Sequence, residues 1–158
     1  MGKYFKILFA LFLLIFLFSC DSFFLNRHKF ESDFKSQTSN ADTILFDSDF
    51  LHPTYAFIKK GKISGIEYNG NPECGNVTIR YFLNNKEKID KIIVEKDFYS
   101  DHCGKPFDSI YVIDPRTKKI KIYTKFTDGK EMINEKLVEN YKIDVISFKQ
   151  KIKNWHNR

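Results

Sequence analysis

The strongest constraint on the fold is a ladder of short β-type segments set between turn residues. Residues 54–59 and 63–68 flank Lys60-Gly61-Lys62, residues 77–83 and 89–96 flank Asn84-Asn85-Lys86-Glu87-Lys88, and residues 109–113 and 119–126 flank Asp114-Pro115-Arg116-Thr117-Lys118. Each pair predicts a hairpin, because runs of this length bounded by Gly, Pro, Asn or Asp fold back on themselves. In the last run Ile120, Ile122, Thr124 and Phe126 alternate with Lys119, Lys121, Tyr123 and Lys125, which predicts one face against a core and the other in water. Short turns make neighbouring strands antiparallel, so the three hairpins predict a β-meander of about six strands, with no βαβ spacing among them.

Helical spacing follows the last hairpin. Val145, Phe148, Ile152 and Trp155 recur after Asp144, Ser147 to Gln150 has the form of a capping box, and lysines gather toward the C-terminal side. These signals predict a C-terminal helix packed on the sheet and an α+β fold. A second helix is expected over 131–141, where Ile133, Leu137 and Tyr141 stand four apart.

The N-terminal segment is of another kind. Lys3 and Lys6 precede an apolar run of 12 residues from Ile7 to Phe18, the layout of an export signal. As a helix the run would span about 18 Å, short of the roughly 30 Å hydrocarbon core of a bilayer. It ends at Leu17-Phe18-Ser19-Cys20. That ending resembles the lipobox of bacterial lipoprotein precursors, with a leucine three before the cysteine and a small residue just before it, although Phe18 is larger than the residue usual there. The resemblance implies diacylglyceryl transfer to the Cys20 thiol, cleavage before Cys20 and acylation of the new amino terminus. Two or three chains are what a stable anchor requires, since one chain alone holds only marginally. Residues 1–19 are therefore expected to be a signal peptide, with the mature protein held on the non-cytoplasmic side of a bacterial membrane. Asp21 resembles the enterobacterial signal for retention in the inner membrane.

Residues 20–42 are expected to form the lipidated N-terminus and a tether. Phe23, Phe30 and Phe34 suggest a short helix at the membrane surface, "SQTSNAD" over 36–42 has a spacer's composition, and the folded domain is expected over 43–158. Losing Lys3 and Lys6 takes the formal charge from +6 to +4. That excess is spread along the chain without the dense basic stripe of a nucleic-acid binder.

With Cys20 assigned to lipid, Cys74 and Cys103 remain, an even pair in a compartment where disulfides persist. Cys74 lies just before the first strand of the middle hairpin and Cys103 a few residues after its second, so a bond between them would clasp the open end opposite the turn. By the chain-entropy model such a bond contributes roughly 3.5 kcal/mol.

Chemistry is harder to find. In "SDHCG", residues 100–104, His102 adjoins Cys103, but a Cys–His nucleophile needs spatial contact and an orienting third group, and none is identifiable. Cys74, His102 and Cys103 could ligate zinc, yet no C-x-x-C or H-x-x-x-H spacing supports them. No phosphate loop, nucleophile elbow or H-E-x-x-H helix occurs. No catalytic residue, metal or cofactor is expected. Lys149, Lys151, Lys153 and Arg158 could meet anionic headgroups, although a solvated outer face of the last helix is the preferred reading. The expectation is a non-catalytic envelope lipoprotein that binds or assists another envelope protein, as toxin inhibitors and assembly accessories do. The alternative is a small-ligand or enzymatic module with its site in the loop over 98–107.

Overall fold

A computed structural model describes residues 22–47, 49–99 and 105–157. Among these residues nine antiparallel strands form one sheet: β1 (Thr43–Phe46), β2 (Thr54–Lys59), β3 (Lys62–Gly70), β4 (Gly75–Leu83), β5 (Ile89–Phe98), β6 (Phe107–Asp114), β7 (Lys119–Thr124), β8 (Thr127–Ile133) and β9 (His156–Asn157). Their order is β8-β7-β6-β5-β4-β3-β2-β1-β9, a meander closed at one edge by the C-terminal strand. The three predicted hairpins are β2–β3, β4–β5 and β6–β7. Three short or polar strands, β1, β8 and β9, extend the expected six to nine.

Both faces of the sheet are covered. Along β5 successive residues point to opposite faces, yet Ile92, Ile93, Val94 and Glu95 are all buried. Ile92 and Val94 belong to a core with Ala56, Ile66 and Tyr81, closed by Val138 and Ile152 from the C-terminal segments. Those segments are α2 (Glu135–Tyr141), α3 (Val145–Lys151) and a 3₁₀ turn (Ile152–Asn154). This is the α+β architecture with a C-terminal helix that the spacing predicts. Its N-cap is Asp144 rather than Ser147: the Asp144 carboxylate accepts from the Ile146 N–H at 3.0 Å and the Ser147 hydroxyl at 2.6 Å. Tyr81 sits in this core and its phenol is pushed up to about 12, by burial first and by Tyr141 second.

Ile93 faces the other way, into a second core with Phe82, Ile110 and three phenylalanines of α1 (Ser22–Thr38), namely Phe23, Phe30 and Phe34. Phe34 meets Phe57 and Phe82 edge-on, with centroids 5.5 and 5.2 Å away, and Phe30 meets Tyr123 at 5.2 Å. Burying each such ring contributes about 1.5–3 kcal/mol. The helix comes close enough to the sheet because residue 65 is glycine: a Cβ there would lie 2.6 Å from the Thr38 methyl and 3.0 Å from the Phe34 ring. Beside it Ser64 bulges out of register, and the Gln37 side-chain amide donates to the Ser64 and Leu83 carbonyls at 2.8 and 3.0 Å.

The expected tether is thereby corrected. Residues 22–38 are one helix of the folded domain, and the expected spacer supplies Gln37 and Thr38 to the packing before Asp42 N–H donates to the Ile58 carbonyl and opens β1. Two smaller expectations also change. The helix expected over 131–141 starts only at Glu135, where the Asn134 side chain accepts from Leu137 N–H at 3.0 Å, and its first residues belong to β8. Phe126 is 93% exposed instead of inward-facing, because β7 ends at Thr124, whose hydroxyl accepts from Phe126 N–H and turns the chain.

Candidate functional site

Antiparallel order sends the connections alternately to two ends of the sheet, and these differ in chemistry. One end carries the tight turns 60–61, 84–88 and 115–118. Lys60 and Gly61 both have positive φ, 50° and 72°, as a two-residue hairpin turn matching the strand twist requires. Asn84 shapes the second turn by accepting from the N–H groups of Lys86 and Lys88 at 2.9 and 3.2 Å. Asp114 does the same for Arg116 and Thr117 in the third, and those bonds, with the nearby Arg116 charge, hold its carboxyl below the usual range against its partial burial.

This turn end is cationic. Two of its grooves carry most of the lysines, one of about 550 Å³ lined by Lys86, Lys88, Arg116 and Lys142 together with Glu87, Asp90 and Asp144 over Ile143 and Val145, the other of about 400 Å³ lined by Lys60, Lys62 and Asn85. The acids here are engaged within the fold. Asp42 accepts from Lys60 N–H at 2.5 Å, Asp90 from the Asn84 amide at 3.0 Å, and Glu135 pairs with Lys118 at 2.6 Å. Glu87 is the lock between layers: one oxygen accepts from Ile63 N–H at 2.9 Å, the other pairs with Lys149 at 2.8 Å. The Lys149 bond, more than burial opposes it, holds the Glu87 carboxyl below its ordinary value. Lys60, Lys86 and Lys88 enter no ion pair among the described residues. Several point charges gathered on one surface can act together on an anion.

The opposite end carries the longer connections 47–53, 71–74 and 99–106, the 125–126 turn, and the start of α1, where the Asn26 amide donates to Asp128 at 3.0 Å. Cys74 lies here and is disulfide-bonded, with its carbonyl accepting from Tyr99 N–H at 3.1 Å. Next to it Phe98 and Phe107 rings stand 5.0 Å apart beside a groove of about 550 Å³, also lined by Tyr99, Tyr111 and Phe126. The buried Ser109 hydroxyl borders that groove without a hydrogen-bond partner among the described residues. Among the residues singled out from the sequence, Cys20, Asp101, His102, Cys103 and Arg158 lie outside the described residues. Lys149 is tied to Glu87 at the turn end, and Lys151 lies 5.9 Å from the Trp155 ring.

A charged network escaped the sequence reading. Beneath α1, Arg80 pairs with Glu67 at 2.8 Å and with Glu95 at 2.5 Å, and Arg27 of the helix reaches Glu95 at 3.5 Å and Asp97 at 3.8 Å. Burial works against the Arg80 charge, but Glu95 and Glu67 outweigh it and the guanidinium pKa is raised. The two guanidinium groups thus tie the helix to the sheet through shared carboxylates. Among the described residues no group of three His, Cys, Asp or Glu is placed to hold a metal ion, and no helix is long and apolar enough to cross a membrane.

Compared with known proteins, the chain matches no family model, no curated protein and no solved structure.

Proposed function

We propose that this protein is a membrane-anchored envelope lipoprotein without catalytic activity, held through lipid on Cys20 and clasped by a Cys74 to Cys103 disulfide, that presents its cationic turn end to an acidic surface of another envelope protein. The observation that carries the binding role is the set of Lys60, Lys86 and Lys88 on rigid turns, with the neighbouring carboxylates occupied inside the fold. Rigid presentation lowers the ordering cost of association, and like-signed charges around grooves favour complementary partners and fast encounter. Nucleic acid and cofactors have no part in this reading.

The test uses the full chain in its own bacterial membranes. Photocrosslinking from a photoreactive residue substituted for Asn85 is expected to give one discrete adduct that K60E/K86E/K88E loses while keeping the wild-type melting temperature, and that raised salt weakens. An adduct of undiminished yield from the charge-reversed protein would reject the turn end as the binding surface. The anchor and clasp are read separately from intact mass: the chain from Cys20 plus acyl groups, gaining about two daltons on reduction.

A second reading, a small-ligand or enzymatic module at 98–107, has one observation in its favour, the aromatic groove bordered by the Ser109 hydroxyl, which has no hydrogen-bond partner among the described residues. Thiol titration separates the two readings. A protein with no accessible thiol keeps that loop structural, whereas one free, fast-reacting thiol points to an active site there.

A further inference from the structure

We infer that the loop end of the sheet is a membrane-seating surface, pressed into the same leaflet that holds the Cys20 lipid. The inference rests on the lipoprotein reading and adds to it an orientation for the whole domain. Nine large hydrophobic side chains are exposed among the described residues, and seven of them, Phe24, Leu25, Phe50, Leu51, Tyr99, Phe107 and Phe126, lie at this end. They come from four segments far apart in sequence, namely the first turn of α1 and the connections after β1, β5 and β7, with Phe107 opening β6. Only the topology gathers them. Scattered exposed hydrophobics are ordinary, but a shared apolar end marks an interaction surface.

The position of the lipid selects the occupant. Helix α1 begins at Ser22 and is fixed to this end by the bond from Asn26 to Asp128. Cys20 is two residues earlier, so the chain can place it at most about 7 Å from Ser22. An acyl-bearing Cys20 therefore holds the apolar end against the bilayer surface, where aromatic rings sit favourably at headgroup depth. Lys105 and Lys125 accompany these rings, but so do Asp49, Glu73 and Asp128. Apolar insertion, rather than attraction to anionic lipid, is the driving term. The tight turns of the other end then stand away from the membrane by about the length of β5, 10 residues or roughly 33 Å. That separation exceeds the roughly 8 Å screening length at physiological ionic strength, so headgroups do not compete for Lys60, Lys86 and Lys88.

Amide hydrogen exchange on the purified lipidated full chain tests this, comparing detergent with vesicles of phosphatidylethanolamine and phosphatidylglycerol and with vesicles of phosphatidylcholine. The expected result is several-fold slower exchange over 49–52, 105–107 and 125–126 in both vesicle types, insensitive to salt, with the 60–61 and 84–88 turns unchanged. Phe50 and Phe126 are 94% and 93% exposed, so F50S/F126S leaves the fold intact and should lose that protection while keeping the lipid. Equal exchange in vesicles and detergent, with the Cys20 lipid confirmed by mass, would overturn the seating and leave the anchor standing. A mass without lipid on Cys20 overturns both. Protection that follows protein concentration instead of vesicles would assign the surface to a second copy of this chain and also overturn the inference.

Discussion

The two ends of the sheet are built from the same strands, yet one closes in two to five residues and the other takes up to eight to make a connection. At the turn end backbone geometry leaves little choice. Lys60, Gly61, Glu87 and Lys118 all carry positive φ, and Asn84 and Asp114 spend their side chains on the turns they open. Residues there answer first to the fold, and the lysines left over are the polar side chains that tight turns tolerate. At the loop end no comparable demand explains Phe50, Leu51 or Phe126, since each projects into solvent and contributes nothing to either core. An apolar side chain that the fold does not require is better evidence of an external partner than a lysine that it permits. The proposed membrane seat therefore rests on the stronger asymmetry, and the proposed cationic surface draws its force from rigidity and from the engagement of its acids.

The proposed membrane seat requires α1 to keep the proposed Cys20 attachment at the loop end, and Phe34, the most buried residue of the helix, fastens it. Truncating Phe34→Ala removes a 2% exposed ring from between Phe57 and Phe82 and should cost about 3–5 kcal/mol in denaturant unfolding. A loss under about 1 kcal/mol would mean that the helix is dispensable to the domain, and the fixed geometry between lipid and apolar end would fall with it. A smaller effect is expected from G65A, whose methyl must push against Thr38 and Phe34 and should cost about 1–3 kcal/mol. Adding T38S removes the methyl at 2.6 Å but keeps the hydroxyl that donates to the Phe34 carbonyl at 2.8 Å. The double variant should recover part of the loss, and no recovery would show that the strain lies elsewhere.

The hairpins were legible because their signals are local: period-two alternation and turn residues within a dozen positions. The nearby failures have equally specific causes. Ile133, Leu137 and Tyr141 imitate a helix at intervals of four, but Ile133 closes β8, whose Gly129 at φ 68° and charged residues hide the strand. Phe23, Phe30 and Phe34 stand among polar and charged neighbours, so α1 looked like a surface helix on a tether. What buries it is remote: Gly65, Phe82 and Ile93, none of which the spacing within α1 can announce. The Arg80 network joins residues 13 and 15 positions apart, and its sequence signal is limited to charged residues at inward positions of alternating strands. The gathering of phenylalanines was open to inference once three hairpins were placed, because alternate connections of a meander must share an end.

The smallest expected effect sharpens the distinction between charge and rigidity at the turn end. E87Q keeps an acceptor for the Ile63 N–H but gives up the ionic partner of Lys149. The folded-state pKa of Glu87 is depressed, so its contribution is fully present above the unfolded value near 4.5 and is lost as pH falls through the lower folded value. Wild type should therefore exceed E87Q by about 0.5–1 kcal/mol near neutral pH, as befits a partly exposed pair, and the two should converge below pH 4.5. Denaturant titrations at several pH values check this, and a gap that persists after the carboxylate is protonated would show that shape, not charge, carries the effect. The same variant raises the positive charge of the turn end by one unit and releases Lys149. If charge complementarity governs the partner contact, crosslinking in membranes holds or rises while stability falls. A fall in both would mean that the rigid set of the 84–88 turn matters more to the partner than its charge.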